Sequence, residues 1–336
     1  MNKTIKIAFV GDISSSFIKH DYDTLKEYFD VDIFPPPQKK IDWIKYVFIL
    51  AKKVKQYDLT FSWFAGWHSA IAIFFSNLFG KKSLVIIGGY DAAYVPEINY
   101  GAFTNIKEKI PVMYVYKNAD KVLVVDPALK DEIIRNAKVI GDTIDYLPTG
   151  FDSDYWKPGE KKENIVLTVA GAKTLQRVKL KGLEAFTRSA MYIPWAKFIA
   201  INVRDDAKKY LEKISTKNVE FTGVLPQNEI LDYYQRAKVC CQLSMREGLP
   251  TALCEAMLCE CIPVGSRAAG VISAIGDAGF YVEYGDEKGT ADMIKKALDS
   301  KDNLGKNARD RIKNSFPETM RKEELKKLIL EMINFL

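Results

Sequence analysis

Residues 238–266, KVCCQLSMREGLPTALCEAMLCECIPVGS, contain the pattern that decides the fold. The stretch 238–244 predicts a buried strand, Pro250 suits the first turn of a helix, and 251–260 is typical of that helix. A second apolar strand follows at 261–266. Buried strands that are separated by helices indicate a parallel sheet covered on both faces.

The same alternation of short apolar segments and helical patterns extends along the whole chain. One series begins with IKIAFVG at 5–11 and ends with KVLVVD at 121–126. A second series runs from NIVLTVAG at 164–171 to GFYVEY at 279–284. Between the two series, residues 147–164 are rich in Pro, Gly, Asp and Lys. The sequence therefore predicts an α/β protein with two doubly wound, Rossmann-like domains.

The length of 336 residues provides enough material for two cores. We place an amino-terminal domain at 1–150 and a carboxyl-terminal domain at 151–317. Residues 318–336 carry apolar side chains at helical spacing, which predicts a final helix that packs back across the domains.

Residues 59–80, LTFSWFAGWHSAIAIFFSNLFG, carry no formal charge and are long enough to cross a bilayer. However, they include several polar side chains, and Gly66 divides them into a strand at 59–64 and a helix at 67–79. We therefore expect a strand–helix unit here. The amino terminus turns polar after one short apolar run, so we expect no signal peptide and a cytoplasmic protein.

Residues 38–57 contain six lysines and one acidic residue, with aromatic and aliphatic side chains interleaved. A basic amphipathic helix with aromatic residues can lie on an anionic bilayer, which would make the protein peripheral at the inner face of the membrane. An ordinary helix of the first domain with solvated lysines explains the same pattern. If the membrane interpretation holds, the acceptor of any reaction is expected to be lipid-linked.

The charge distribution gives no indication of a nucleic-acid partner. The net charge is +6, with 19 Lys/Arg against 17 Asp/Glu in residues 1–150, which leaves 30 against 26 in the rest. A nucleic-acid footprint would need basic charge concentrated on one face. The segment VAGAKT at 169–174 lacks the first glycine of a P-loop, and GDISSS at 11–16 has one glycine where a dinucleotide fingerprint needs three.

All five cysteines lie between Cys240 and Cys261 on apolar stretches. Their spacing fits no zinc pattern, and both histidines are distant in sequence. We expect buried, reduced thiols and no metal site.

Two glutamates, Glu247 and Glu255, flank the predicted strand-to-helix turn. The unpaired amides at the start of that helix, together with the helix dipole, form an anion site. Glu255 shares a helix face with Thr251, four residues earlier. One turn can thus hold a phosphate on amides, a diol on Glu255 and a further hydroxyl on Glu247, as a nucleotide-diphosphate sugar requires. Alternatively, both glutamates are simply solvated charges.

Several segments together resemble the retaining GT-B glycosyltransferases of family four. The hallmark Glu-x7-Glu of that family is met by Glu247 and Glu255. The resemblance covers about half of the chain, in four segments: 147–158, 178–186, 221–239 and 246–286.

The resemblance implies roles for the donor-side residues. Glu247 would hold hydroxyls of the donor sugar, and Glu255 would hold the ribose diol. The backbone of Gly248, Leu249, Pro250 and Thr251 would face the phosphates. A basic pair, Arg177 and Lys181, would grip the diphosphate, with Lys173 as a weaker third candidate. Gly223 and Val224 would line the base.

The amino-terminal domain departs from the family pattern. Its first loop has Gly11 followed by Asp12 and three serines, where many members have a glycine pair. Where many members have a histidine that faces the reacting sugar, Asp91 is the nearest polar substitute. Asp91 could alternatively cap the next turn. His68 could reach the acceptor side or be a structural histidine.

The resemblance implies a GT-B enzyme whose two domains face each other across a cleft. It would move a hexose from a nucleotide-diphosphate sugar to a hydroxyl acceptor, a glycan, glycolipid or small molecule, with retention of configuration. Glu247, Lys181, Arg177 and Asp91 would be the catalytic residues, and no metal or other cofactor is expected beyond the nucleotide-sugar co-substrate. A non-catalytic nucleotide-sugar binder and a nucleotide-sugar epimerase remain alternatives.

Overall fold

The protein, described here by a computed structural model over residues 4–300 and 303–334, forms two compact units. The first unit ends at Thr149 and includes the segment from Thr319 onward, and the second unit is Gly150–Glu318. Each unit is an α/β structure built on one parallel sheet of six strands, which confirms the predicted fold class.

The sheet of the first unit has the strand order β2-β1-β3-β4-β5-β6. Its register places Ile7 of β1 opposite Leu59 of β3, and both side chains are fully buried. The strands of this sheet are β1 (Lys6–Val10), β2 (Asp30–Ile33), β3 (Leu59–Trp63), β4 (Lys82–Ile87), β5 (Lys121–Val124) and β6 (Ile144–Tyr146).

The helices of the first unit connect these strands, and the last helix of the chain joins them. They are α1 (Ser16–Tyr28), α2 (Asp42–Lys53), α3 (Trp67–Leu78), α4 (Ile106–Asn118), α5 (Pro127–Ala137) and α14 (Glu318–Asn334). The uncharged segment 59–80 thus forms β3 and α3, as predicted. In the part of the chain that the structure describes, no helix has the length and apolar character needed to cross a membrane.

The sheet of the second unit has the strand order β12-β11-β10-β7-β8-β9. Its strands are β7 (Glu163–Ala172), β8 (Lys197–Val203), β9 (Val219–Phe221), β10 (Ala237–Gln242), β11 (Ile262–Ser266) and β12 (Phe280–Val282). The chain first builds outward from β7 to β9 and then returns to build from β10 to β12 on the other side of β7. This reversal creates a crevice at the carboxyl ends of β7 and β10, where open α/β sheets bind ligands.

Eight helices cover the second sheet within the described residues. They are α6 (Leu175–Leu180), α7 (Leu183–Ser189), α8 (Asp205–Glu212), α9 (Gln227–Arg236), α10 (Thr251–Leu258), α11 (Ala269–Ile275), α12 (Glu287–Asp299) and α13 (Leu304–Ser315). The core of this unit includes Val166, Phe186 and Phe198, all nearly inaccessible to solvent. All five cysteines are buried and unpaired with one another, as expected.

Helix α14 is tied to the first unit by a buried ion pair. The guanidinium of Arg321 donates two hydrogen bonds of 2.6 Å to the carboxylate of Asp21 on α1, and both side chains are 1% exposed. Arg321 also donates to the carbonyl oxygens of Leu147 and Pro148. The indole Nε1 of Trp63 donates to Asp21 as well. The last helix therefore completes the core of the first unit.

Candidate functional site

The crevice between the carboxyl ends of β7 and β10 holds a compact cluster of charged and polar side chains. Lys181 follows the first helix after β7, and Glu247 lies in the loop between β10 and α10. The Lys181 Nζ and the Glu247 Oε1 are 2.5 Å apart, and the two side chains are only 15% and 14% exposed. Two residues that the sequence predicted for the site, 66 positions apart, are thus in direct contact.

The Glu247 carboxylate is held by more than the lysine. Its Oε1 also accepts hydrogen bonds from the Gln242 Nε2 (2.8 Å) and the Ser244 Oγ (2.6 Å). The carbonyl oxygen of Ser244 in turn accepts a hydrogen bond from the Ser266 hydroxyl. Among the described residues, the second carboxylate oxygen, Oε2, has no hydrogen-bond partner. The side chain is therefore fixed through one oxygen, and the other is available to a ligand.

The charge state of Glu247 follows from these contacts. Burial by itself would raise the pKa of this carboxyl group, but the Lys181 ammonium, the Ser244 hydrogen bond and the positive charge of Arg177 together outweigh burial. The pKa of Glu247 therefore lies below its ordinary value, and the group is an anion at neutral pH.

The amino terminus of α10 presents unpaired backbone donors beside this cluster. Helix α10 begins at Thr251, with Pro250 as the residue before its first turn. The amides of Gly248, Leu249, Thr251 and Ala252 donate to no group in the part of the chain that the structure describes. Together with the helix dipole they form a site for an anion.

Two glycines fix the position of the site loops. Gly182, directly after Lys181, has a φ of +62°, and a Cβ there would lie 2.0 Å from the Leu243 carbonyl oxygen. Gly270 on α11 packs so closely on the Glu247 loop that a Cβ would lie 1.6 Å from the Gly248 carbonyl oxygen. A larger residue at either position would displace the Lys181 or Glu247 backbone.

Arg177 lies on α6, which begins after Thr174. The Thr174 hydroxyl accepts a hydrogen bond from the Arg177 amide and so caps this helix. The Arg177 Nε donates to the carbonyl oxygen of Gly171 at 3.4 Å, at the end of β7. The guanidinium is near enough to Glu247 to lower the pKa of its carboxyl group, which places it in the same cluster. Lys173, the weaker candidate, is exposed.

Glu255 lies on the first full turn of α10, four residues after Thr251. Its carboxyl group forms no hydrogen bond to any described residue. Burial raises the pKa of Glu255 to about 8. In the absence of ligand, this carboxyl group is therefore largely protonated at neutral pH, unlike that of Glu247.

Gly223 and Val224 follow β9 and reach the same edge of the sheet. The carbonyl oxygen of Gly223 accepts a hydrogen bond from the amide of Asn202, and Val224 is 59% exposed. Asn202 itself is in the left-handed region, with a φ of +62°, and its Oδ1 is buried without a hydrogen-bond partner among the described residues. Backbone strain and an unsatisfied buried acceptor are typical of functional positions.

Two other residues predicted for the site, Gly11 and Asp91, belong to the first unit. Gly11 is buried directly after β1. The Asp91 carboxylate accepts hydrogen bonds from the amides of Ala65 and Gly89, both at 2.9 Å, and is 1% exposed. These two bonds link the loops after β3 and β4, and the catalytic role of Asp91 stays a prediction.

His68 is held at the start of α3. Its Nε2 donates to the carbonyl oxygen of Trp63 at 2.9 Å. Burial lowers the pKa of His68, so the ring is neutral at physiological pH. This geometry fits the structural alternative.

Four residues of the site were missed by the sequence analysis: Gln242, Ser244, Asn202 and Gly270. Gln242 is the last residue of β10 and Ser244 follows two positions later, so the alternation of an extended chain places both side chains on the same side. That alternation was visible in the sequence, but it identifies no partner. Residues 4–300 and 303–334 contain no group of three or more His, Cys, Asp or Glu side chains that could hold a metal ion.

Comparison with known proteins finds one matching family and solved structures of similar fold. Residues 154–315, just under half of the chain, match the family described as Glycosyl transferases group 1. The crystal structure of Anabaena HepE in complex with UDP superposes with a TM-score of 0.78 at 16% identity, covering 97% of this chain and 100% of that one. The family match is thus confined to the second unit, and the likeness to HepE shows that the two chains share a fold.

Two curated relatives extend the comparison. N-acetyl-alpha-D-glucosaminyl L-malate synthase of Bacillus anthracis is 25% identical over 171 residues, 49% of this chain and 44% of that protein. N,N'-diacetylbacillosaminyl-diphospho-undecaprenol alpha-1,3-N-acetylgalactosaminyltransferase of Campylobacter jejuni is 25% identical over 291 residues, 79% of this chain and 75% of that protein. The match to the Bacillus anthracis protein thus spans less than half of that protein's length.

Proposed function

We propose that the chain is a glycosyltransferase that moves a hexose from a nucleotide-diphosphate sugar to a hydroxyl acceptor with retention of configuration. The observation that carries the proposal is the ion pair of Lys181 and Glu247 in the crevice of the second sheet, beside the unpaired amides of α10. Positive charge, amide donors and a carboxylate oxygen with no partner match a diphosphate joined to a polyhydroxyl sugar.

The leaving group of this reaction is an anionic nucleoside diphosphate. In the proposed mechanism, the side chains of Lys181 and Arg177 stabilise the charge that develops on it as the glycosidic bond breaks. The four unpaired amides at the start of α10, those of Gly248, Leu249, Thr251 and Ala252, add to this stabilisation. Such fixed groups in a partly dry site are worth several kcal/mol, since they need not reorganise during the reaction. These groups supply the charge stabilisation without a metal ion.

The two glutamates have different tasks in the proposal. Glu247, anionic and fixed through Oε1, accepts hydrogen bonds from sugar hydroxyls on Oε2 and orients the anomeric carbon. Glu255 accepts from the ribose diol, while Gly223, Val224 and Asn202 lie at the edge where the base binds. UDP is the first nucleotide to test because the HepE structure holds UDP.

Thermal unfolding with UDP, GDP, ADP and their hexose derivatives tests donor binding. A ligand at 100-fold excess over its Kd adds about 2.7 kcal/mol of stability. We expect one nucleotide to stabilise the wild type, Glu255→Ala to lose most of that effect, and Glu160→Ala, an exposed loop glutamate of the same unit, to retain it. Absence of stabilisation by every nucleotide would contradict the donor site.

A transfer assay tests the reaction itself. With the donor that stabilises the protein, we expect nucleoside diphosphate release that depends on a hydroxyl acceptor and is insensitive to a metal chelator. Proton NMR of the product should show the donor's anomeric configuration. An inverted product would refute retention, and isomerisation of the donor sugar without acceptor would indicate an epimerase.

A further inference from the structure

The outward side of helices α2, α3 and α4 in the first unit is unusually apolar. We define the α2–α4 face by six side chains, all half or more exposed: Ile44, Phe48, Phe74, Leu78, Ile106 and Ile110. Single exposed apolar residues are common, but a contiguous group on adjacent helices marks an interaction surface.

The three helices form one layer. The strand order β2-β1-β3-β4-β5 requires the connections through α2, α3 and α4 to cross the sheet in one direction. Right-handed crossovers in one direction place their helices on the same side of the sheet. Helix α3 packs against both α2 and α4, so the exposed side chains of the three helices point away from the sheet on that side.

The core of the first unit does not require these exposed residues. Helix α2 already buries Tyr46 and Leu50 against α3, and Val54 extends that contact beyond its end. Its opposite side carries Ile44 and Phe48, four residues apart and 64% and 62% exposed. An ordinary surface helix has polar residues at such positions. The interpretation of 38–57 as an ordinary helix of the first domain therefore explains one side of α2 and leaves the other side unexplained.

Lysines surround the exposed apolar side chains. Lys45, Lys52 and Lys53 lie on α2, and Lys107 lies on the first turn of α4. Among the residues that the structure describes, none of these four lysines forms an ion pair. The charges of these four lysines are therefore not compensated by a direct ion pair, and they outnumber the acidic residues Asp42 and Glu108 of the same two helices.

We infer that the α2–α4 face docks the first unit on an anionic lipid surface, with Ile44 and Phe48 entering the interface and the lysines contacting lipid headgroups. Apolar side chains flanked by basic ones bind such surfaces through burial of apolar area and through electrostatic attraction to the anionic lipids. Charge argues against self-association, since a two-fold contact of this face with itself would bring lysines against lysines. The inference is independent of the proposed glycosyl transfer.

Co-sedimentation with vesicles tests the inference. We compare vesicles of phosphatidylcholine with vesicles of phosphatidylcholine and phosphatidylglycerol, at low and high salt. The wild type should bind the anionic vesicles, with affinity that falls as salt rises. Ile44→Asp/Phe48→Asp should reduce the bound fraction at least about tenfold. The control is Ile140→Asp, which places one negative charge at an 86% exposed isoleucine of the first unit and should bind like wild type.

A second pair of variants isolates the charge. Lys45→Gln/Lys52→Gln should weaken binding to anionic vesicles, whereas Lys213→Gln/Lys217→Gln, two exposed lysines of the second unit, should not. Unfolding temperatures and nucleotide binding of all variants should match wild type, which separates this inference from the proposed function.

Three results would overturn the inference. The first is no vesicle binding by the wild type, and the second is equal binding to neutral and anionic vesicles. The third is a dimer in light scattering that Ile44→Asp/Phe48→Asp dissociates while vesicles bind neither protein, which would assign the face to a second copy of this chain.

Discussion

The two units use buried charge for opposite purposes. In the first unit, the Asp91 carboxylate joins the loops after β3 and β4 through two backbone amides, and Asp21 is neutralised by Arg321. In the second unit, Lys181 and Glu247 meet between the loops after β7 and β10, beside four amides with no described partner.

The difference shows how to tell a structural charge from a candidate functional one. At Asp21 both carboxylate oxygens accept from Arg321, and breaking such a buried pair leaves an uncompensated charge. Glu247 leaves one oxygen without a described partner, and its pKa is set by a balance between burial and nearby positive charge. A carboxylate such as Glu247 can therefore change its hydrogen bonds and its pKa when a ligand binds. A carboxylate whose oxygens are both paired, such as Asp21, loses its partners only when the protein unfolds.

The largest effect is expected from breaking the ion pair of the first unit. Arg321→Met should lower the free energy of unfolding by about 3–5 kcal/mol, because Asp21 would remain buried without its partner. Urea unfolding followed by tryptophan fluorescence measures this, since Trp63 contacts Asp21. Lys327→Met, an exposed site on the same helix, should change stability little. An unchanged urea midpoint for Arg321→Met would contradict the structural role.

Removing the lysine of the second unit should instead affect the reaction. Lys181→Met should reduce the transfer rate by about 10²–10³-fold, the usual effect of removing a donor that stabilises a charged transition state. Steady-state kinetics with the identified donor provides the measurement, and Lys213→Met is the control. If Lys181→Met only shifted the unfolding temperature and left turnover intact, Lys181 would be a structural lysine.

Glu255 should make stability depend on pH. Its pKa is about 8 in the folded protein against an ordinary value of 4.5, so the unfolded chain releases this proton first as pH rises. The stabilising contribution of the protonated form is complete below about pH 4.5 and is lost as pH rises through about 8. Glu255→Gln should therefore match wild type near pH 4.5 and be more stable at pH 9 in denaturant titrations. Parallel pH profiles for the two proteins would argue against the raised pKa.

The smallest effect is expected at Asn202. Asn202→Gly should change the free energy of unfolding by less than about 1 kcal/mol, since relief of the left-handed backbone offsets the greater chain entropy of glycine. Nucleotide affinity should nevertheless fall severalfold, by about 1 kcal/mol, if the unpaired Oδ1 accepts a hydrogen bond from the ligand. Calorimetric titration measures the affinity. If Asn202→Gly bound the nucleotide with wild-type affinity, Asn202 would not contact the ligand and would only set the conformation of the backbone.

The sequence was most informative where a hydrophobic pattern and the residues that interrupt it lie within one short segment. The pattern around 238–266 predicted parallel sheets, and the Gly66 break correctly divided 59–80 into a strand and a helix. Lys181 and Glu247 were both predicted for the site and are in contact. Their roles in catalysis stay predictions, as does that of Asp91.

Contacts that depend on tertiary packing were not predictable. Gln242 and Ser244 are neutral residues at a strand end, and no spacing rule pairs them with Glu247. The close approach of Gly270 to Gly248 depends on how α11 lies over the loop. The raised pKa of Glu255 arises from burial, which a helical pattern indicates only on average.

The return of α14 to the first unit has a consequence for synthesis. Arg321 and Asp21 are 300 positions apart, and the whole second unit, Gly150–Glu318, lies between them. On the ribosome, the second unit is therefore fully synthesised before the first can close its core. Domains often fold in the order of their synthesis, but here the first must wait for its final helix. A chain that is truncated after residue 318 and released should therefore contain the complete second unit, whereas its first unit would lack the Arg321 counter-charge of Asp21.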